Sequence, residues 1–256
     1  MDAVFERLVL REAERRNPRA STGRPRVMSD ECALRLIFRV LKTGMQWREV
    51  ICEVSHTTIL RRMHAWRRCG VFETAYRKLL KTYKKLCPTR YYCVDSTYVK
   101  NMYATQCTGR NHTDRGRRAV KVSVVVDQTG APHGVCCHPG NRPDVVLLDD
   151  SLRSCFELVT SLPLYADRGY DSRNNRRICD KHGVKERIFR RRCKTTRRTN
   201  AKRVVVEHTF AWMKQYRRLL YVYEHSEQQL TAFLLLAFGN ILSRRVSECH
   251  GECVSE

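Results

Sequence analysis

Three acidic residues and two flanking cations carry the chemistry that this sequence could perform. The segment around Glu207 has the periodicity of a helix, and at about 100° per residue Arg203, Glu207 and Lys214 fall on one face. A carboxylate between an arginine and a lysine can hold a divalent metal while its cationic neighbours hold phosphate. A solvated helix with i, i+4 ion pairs would have the same pattern. The other two acids are Asp95 and Asp167.

Both aspartates follow apolar runs, residues 91–94 and 162–166, which are expected to be strands. Side chains at the carboxyl ends of strands gather at one edge of an α/β sheet, so we expect Asp95, Asp167 and Glu207 to meet there. Three carboxylates repel one another and are costly to desolvate unless a cation neutralises them. Oxygen ligands of this kind suit Mg²⁺ or Mn²⁺.

Two such ions, about 3.5–4 Å apart, suit in-line displacement at a phosphodiester. One ion lowers the pKa of the attacking water or 3′-hydroxyl, and the other stabilises the leaving oxygen. Other acids compete for these roles. Asp127 also ends a strand, but it leads into a Gln-Thr-Gly turn where Asp is favoured. The remaining competitors lie in loops or at helix starts, where capping explains them: Asp114, Asp144, Asp149, Asp150 and Asp171.

The N-terminal third of the chain is predicted to be helical, at residues 2–16, 29–41, 55–70 and 71–86. A helix, a turn with Gly44 and then a strongly basic helix is typical of a helix-turn-helix. An ordinary bundle with a solvated arginine face would have the same pattern. In the first interpretation the arginines of the basic helix contact DNA: Arg61, Arg62, Arg67 and Arg68.

A basic linker separates the first two of these helices. Its Gly-Arg-Pro-Arg stretch can lie extended in a DNA minor groove, with Arg24 and Arg26 against the floor. A solvated linker is the alternative.

From residue 88 onward the pattern changes to mixed α/β. Residues 119–126 and 131–137 are predicted to form a hairpin around the Gln-Thr-Gly turn. The order of elements indicates a mixed sheet flanked by helices. The sequence therefore predicts a helical DNA-binding region at 1–87 and a catalytic domain at 88–256 that includes the C-terminal helices. The further strands and helices expected here are 91–94, 144–156, 162–166, 171–182, 184–187, a helix around 207, and 230–245.

Charge and composition indicate the class of partner and the compartment of the protein. Lys and Arg number 49 against 26 Asp and Glu, a formal net charge of +23, which favours a nucleic-acid partner. The mean hydropathy of −0.51 and an interrupted apolar run at 230–242 argue against a membrane protein. The first ten residues carry charges, so no signal peptide is expected. The 13 scattered cysteines are expected to be reduced thiols in an intracellular compartment that contains DNA, the bacterial cytoplasm or a nucleus.

Several short motifs follow one another along nearly the whole chain. Together they resemble the DDE transposases of the IS4/IS5-type insertion-sequence superfamily, and most closely the IS5 branch. The combination of ADRGYD (166–171) followed by Arg203-x₃-Glu207-x₆-Lys214 is highly specific. The motifs are GRP (23–25), LKTGMQWR (41–48), HAWR (64–67), VDST (94–97), VVD (125–127), PGNRPD (139–144), ADRGYD (166–171) and Arg203-x₃-Glu207-x₆-Lys214.

The resemblance implies an RNase H-like core in which Asp95, Asp167 and Glu207 hold two Mg²⁺ or Mn²⁺ ions. It also implies that Arg203 and Lys214 contact DNA phosphates or orient the carboxylates, and Arg168 joins the expected DNA contacts. In this family a tyrosine often lies three residues before the arginine, where this chain has Asn200. Hairpin or other end-processing chemistry therefore stays open.

The function implied is that of a transposase. Such an enzyme binds terminal inverted repeats, cleaves the DNA to free 3′-hydroxyls, and joins them to target DNA. Its partners would be double-stranded element ends and target DNA, and pairing of two ends requires at least a dimer. Two alternatives stay open: a decayed transposase that binds DNA without cutting, and an RNase H-like nuclease that cleaves without joining.

Overall fold

The computed structural model describes residues 1–18, 26–190 and 197–252, with side chains described outside 197–200 and 248–252. Its internal contacts divide it into two compact units. The first contains Met1–Cys87, Gln215–Leu220 and the residues from Gln228 onward, and the second contains Pro88–Lys214 and Tyr221–Glu227.

Side-chain caps begin the first two helices. The Asp2 side chain accepts a hydrogen bond from the backbone N–H of Val4, and Ser29 accepts one from Cys32. Gly44, in the left-handed conformation with φ 73°, ends the second helix. The described helices are α1 (Ala3–Arg16), α2 (Asp30–Thr43), α3 (His56–Arg68), α4 (Val71–Leu86), α5 (Leu148–Arg153), α6 (Arg173–Lys181), α7 (Arg197–Lys214) and α8 (Glu227–Glu252).

The core of the first unit is built by the apolar faces of its helices. Trp66 of α3 and Phe72 of α4 are buried and pack edge to face, with ring centroids 6.3 Å apart. Phe5 of α1 packs so closely against Gly239 of α8 that a Cβ there would collide with its ring. The last helix thus packs with the N-terminal helices, whereas it was predicted to belong to the domain at 88–256. Helical periodicity identifies a buried face but does not identify its partner.

Helix α8, Glu227–Glu252, is longer than the predicted helix 230–245. By length and composition alone, Glu227–Ser247 could cross a membrane, but 72% of that window is buried inside the protein. This burial is the environment of a core helix.

One mixed sheet organises the second unit. Its strand order is β2-β3-β1-β5-β6, with β4 also paired to β3 and β7 also paired to β1. β1 pairs antiparallel with β3 and parallel with β5, and the predicted β3–β4 hairpin is present. The strands are β1 (Tyr92–Asn101), β2 (Gly109–Asn111), β3 (Arg117–Asp127), β4 (Pro132–Pro139), β5 (Pro163–Ala166), β6 (Lys185–Ile188) and β7 (Tyr221–Val222).

Two predicted boundaries in this unit are wrong. The first strand does not end at Asp95 but continues to Asn101, because its second half contains β-branched and aromatic residues that favour strands. The predicted helix at 144–156 is instead a 3₁₀ turn, Asp144–Val146, followed by the short α5. Helix α6 is capped by Ser172, whereas the neighbouring Asp171 accepts a hydrogen bond from Arg176.

A buried carboxylate holds helices α1 and α4 together. The side chain of Glu12 is 2% exposed and forms ion pairs with Arg15, Arg16 and Lys78. Burial acts to raise the pKa of Glu12, but the hydrogen bonds from these cations together outweigh it and lower the pKa from 4.5 to about 2. The stabilisation from this depressed pKa is fully present above about pH 4.5 and is lost as the pH falls towards 2.

We predict that Glu12→Gln lowers the free energy of unfolding at pH 7 by about 1–3 kcal/mol, because hydrogen bonds to a charged group are lost. Urea unfolding at several pH values measures this loss, which should shrink on acidification. The matched control is Glu31→Gln, which removes the exposed ion pair with Arg35 and should cost less than about 1 kcal/mol. Equal effects of the two substitutions would contradict the prediction.

Candidate active site

Helix α7 is anchored to the sheet by polar contacts at two points. The Cys93 thiol donates to the carbonyl oxygen of Lys202, 3.2 Å away, and the Lys202 ammonium donates to the Tyr165 hydroxyl at 2.9 Å. Further along, the Thr209 hydroxyl donates to the carbonyl of Gly130 at 2.8 Å. The predicted core-facing stripe of this helix is buried: Val206, Phe210 and Met213.

Strand register brings Asp95 and Asp167 together. β5 pairs in parallel with β1, and its last residue, Ala166, is opposite Val94. The next residue after each of these is an aspartate. The two carboxylates therefore come from neighbouring segments whose strands lie about 4.8 Å apart. Asp95 therefore lies beside the carboxyl end of β5, although β1 itself continues to Asn101.

Arg203 bridges the two aspartates. Its Nη2 donates to Asp95 Oδ2 at 3.1 Å and its Nη1 donates to Asp167 Oδ1 at 3.3 Å. The guanidinium also lies over the Phe189 ring, 5.7 Å from its centroid. Two carboxylates from different strands thus converge on one cationic group that is only 14% exposed.

The electrostatic setting of Asp95 favours a cation. Burial raises the pKa of its carboxyl, and the negative charges of Asp144 and Asp167 act in the same direction. The backbone N–H of Ser96, 2.8 Å from Asp95 Oδ1, and the Arg203 guanidinium oppose the rise. A positive charge at this position therefore stabilises the ionised form.

The third predicted acid lies apart from this bridge. Glu207 follows Arg203 by one turn of α7, and both Glu207 and Lys214 are exposed. In the part of the chain with described side chains, no three His, Cys, Asp or Glu residues are arranged to hold a metal ion. The structure brings Asp95 and Asp167 together, and Glu207 as a third ligand stays a prediction.

Sequence reasoning missed Asp144, which it explained as a capping residue. Asp144 Oδ1 accepts hydrogen bonds from Ser96 Oγ at 2.5 Å and from Lys121 Nζ at 3.0 Å. A signal was present, because Lys121 is the one cation in the predicted strand AVKVSVVV.

A model of the family described as "Transposase DDE domain" matches residues 86–241. The chain belongs to the DDE transposase family. A protein of Burkholderia cepacia described as "Putative transposase for insertion sequence element IS402" is 33% identical over 144 residues, which are 50% of this chain and 65% of that protein. The chain therefore spans slightly less than two thirds of the length of this relative.

The fold of the DDE transposase chain is similar to one solved by cryo-electron microscopy, the piggyBac transposase synaptic complex with hairpin DNA. The TM-score is 0.54 with 10% identity, over 100% of this chain and 74% of that one. At this identity the similarity concerns the fold alone. It confirms the predicted class, an RNase H-like mixed sheet flanked by helices, with an N-terminal helical region.

The arginines predicted to bind DNA have different environments. Arg61, Arg68 and Arg168 are exposed. Arg67 donates to the side chain of Gln228. Arg26 forms an ion pair with Asp30 at 3.3 Å. Arg24 lies outside the described residues.

Arg62 is the clear exception among the predicted DNA contacts. Its side chain is 8% exposed, and Nη1 donates to Asp30 Oδ1 at 2.5 Å and to the Met28 carbonyl at 3.2 Å. The prediction of DNA contact by Arg62 does not fit this environment, because the guanidinium is already buried and paired. A run of arginines in the sequence does not distinguish the one that turns inward.

We predict that Arg203→Gln raises the pKa of Asp95 further, because it removes the positive charge that opposes the shift. Carboxyl-detected NMR titration of the aspartates measures this change. The control is Lys214→Gln, which removes an exposed charge from the same helix and should leave the Asp95 titration unaltered. An unshifted Asp95 in Arg203→Gln would mean that the bridge does not persist in solution.

Proposed function

We propose that this chain is a transposase that binds the inverted repeats at element ends, cleaves DNA and transfers the freed 3′ ends to target DNA. The observation that carries the proposal is the convergence of Asp95 and Asp167 on the Arg203 guanidinium. Carboxylates so placed require a cation, and a divalent metal is the cation that suits chemistry at a phosphodiester.

The donor set fits Mg²⁺ or Mn²⁺ at two of the three expected ligands. Asp95 and Asp167 supply hard oxygen atoms at adjacent strand positions, and Glu207 is the proposed third ligand from α7. When bound, two such ions would activate the attacking water or 3′-hydroxyl and stabilise the leaving oxygen. The two carboxylates position these groups, and the anchored helix sets the distance of Glu207 from them.

Arg203 has a second role in this proposal. Its guanidinium forms two hydrogen bonds to carboxylates, and the same planar group is suited to bidentate contact with a phosphate. We propose that Arg203 moves from the carboxylates to a DNA phosphate, with Lys214 contacting a further phosphate. The net charge of +23 supports a polyanionic partner.

The finer assignments belong to the same proposal. The partners are double-stranded element ends and target DNA, and the pairing of two ends requires a homodimer or a higher oligomer. The motif pattern favours the IS5 branch, and the site of action is an intracellular compartment that contains DNA. The helical region at 1–87 is proposed to bind DNA through its exposed arginines, Arg61 and Arg68, and through Arg67.

We predict that Asp95→Asn and Asp167→Asn each lower metal-dependent cleavage by about a thousandfold, since a lost metal ligand removes several kcal/mol of transition-state stabilisation. DNA affinity should be unchanged or tighter, because a negative charge is removed. The measurement uses Mn²⁺ and a plasmid carrying the sequences that flank the gene, with nicked and joined products resolved on a gel.

Asp180→Asn is the matched control, because Asp180 is an exposed aspartate of α6, and its cleavage rate should equal that of the unaltered protein. Full cleavage by Asp95→Asn would exclude Asp95 as a ligand. Binding without cleavage by the unaltered protein would favour a decayed transposase. Cleavage without joined products would favour a nuclease.

A further prediction concerns Lys214. Lys214→Ala should weaken DNA binding and reduce the slope of log K against log[salt] by about one phosphate contact. Fluorescence anisotropy over a range of KCl concentrations measures the slope. Lys181→Ala, which removes a lysine paired with Asp149, serves as control, and equal slopes for Lys214→Ala and the unaltered protein would exclude the proposed contact.

A further inference from the structure

Asp144 has an environment that capping does not explain. It begins the 3₁₀ turn 144–146, and its carbonyl oxygen accepts from the backbone N–H of Leu147. The residue at the cap position of this turn is Pro143, so the Asp144 side chain is not its N-cap. Instead Oδ1 accepts from the hydroxyl of Ser96 and from the ammonium of Lys121, both of which belong to central strands of the sheet.

Lys121 is a buried cation whose retention needs a reason. Its side chain is 3% exposed, and a charge so removed from water costs several kcal/mol unless it is paired and hydrogen-bonded. Asp144 Oδ1 at 3.0 Å and the Arg142 carbonyl at 2.8 Å provide these partners. The ammonium also lies over the Tyr98 ring, 4.8 Å from its centroid.

The hydrogen bond between Asp144 and Ser96 is made on the face of β1 opposite to Asp95. Side chains alternate between the two faces of a strand, so Ser96 points to the face opposite that of its neighbour Asp95. The hydrogen bond from Ser96 to Asp144 therefore fixes the strand at the residue next to Asp95 without touching the carboxylate itself.

Asp144 also lies beside the turn that follows Asp167. A Cβ built on Gly169 would lie 3.5 Å from the Asp144 Cβ and Oδ2 atoms. The buried Asn175 side chain ties the same two turns together, since its amide donates to the carbonyls of Val145 at 2.9 Å and Tyr170 at 2.7 Å. The turn containing Asp144 is thus held against β1 beside Asp95 and against the turn that follows Asp167.

We propose that Asp144, neutralised by Lys121, is a positioning residue that sets the separation of Asp95 and Asp167 by holding Ser96 on one side and the Arg168–Tyr170 turn on the other. This inference rests on the proposed function. The nearness of the Asp144 charge to Asp95 agrees with it, because that charge is among the causes that raise the pKa of Asp95.

The experiment compares Asp144→Ala with Asp144→Asn in the full chain. Alanine removes the acceptor, whereas asparagine keeps an oxygen for the Ser96 and Lys121 donors. Asp144→Ala should weaken Mn²⁺ binding by about tenfold or more in calorimetry without DNA, and should lower kcat for plasmid cleavage by a similar factor with KM unchanged. Asp144→Asn should restore most of both quantities.

Two controls separate positioning from general folding. Asp150→Ala alters a half-exposed aspartate of α5 that pairs with Arg142, and it should leave Mn²⁺ affinity unchanged. Ser96→Ala removes only one donor and should weaken Mn²⁺ binding by a few-fold, which keeps the proposal testable if Asp144→Ala does not fold. Thermal unfolding of each variant is measured alongside.

Three results would overturn the proposal. Normal Mn²⁺ affinity in both Asp144→Ala and Ser96→Ala would show that the separation is set elsewhere. An Asp144→Asn protein as inactive as Asp95→Asn would make Asp144 a ligand instead. Equal losses in Asp150→Ala would indicate a purely structural role. Failure of the proposed function is distinct, because it requires that Asp95→Asn still cleaves DNA.

Discussion

The repulsion between two neighbouring carboxylates is the constraint on which the second unit depends. Parallel pairing of β1 with β5 puts Asp95 and Asp167 at adjacent positions beyond the last paired residues, and like charges this close destabilise the fold unless a cation lies between them. Here Arg203 supplies it. The contacts that anchor α7 to the sheet, through Lys202 and Thr209, therefore also control the charge balance of the site.

Two other buried charges, Glu12 and Arg62, follow the same rule, because each has an opposite charge from another element. Glu12 of α1 pairs with Lys78 of α4, and Arg62 of α3 pairs with Asp30 of α2. Part of the large positive charge is thus used inside the protein. An arginine-rich helix consequently overstates the number of cations that are available to a polyanion, and membership of the DDE transposase family does not by itself identify which arginines bind DNA.

Much of the fold, and the two aspartates of the site, could be predicted from the pattern of neighbouring residues. Caps and periodicity located α1 to α4 to within a residue or two, and the β3–β4 hairpin followed from its turn. The pairing of Asp95 with Asp167 followed from the position of each after an apolar run. Asp144 was not recognised, because its capping position had a sufficient local explanation, whereas its hydrogen bonds come from residues 23 and 48 positions away.

The sequence by itself determined most of the helix and strand segments, which faces are apolar, and which acids follow apolar runs, since these depend on neighbours within a few residues. Only the tertiary structure decided that α8 packs with the N-terminal helices, that Arg62 turns inward, and that Arg203 lies between the two aspartates. These outcomes depend on which distant surfaces meet. Periodicity along one segment contains no information about the partner that its face or its charge will find.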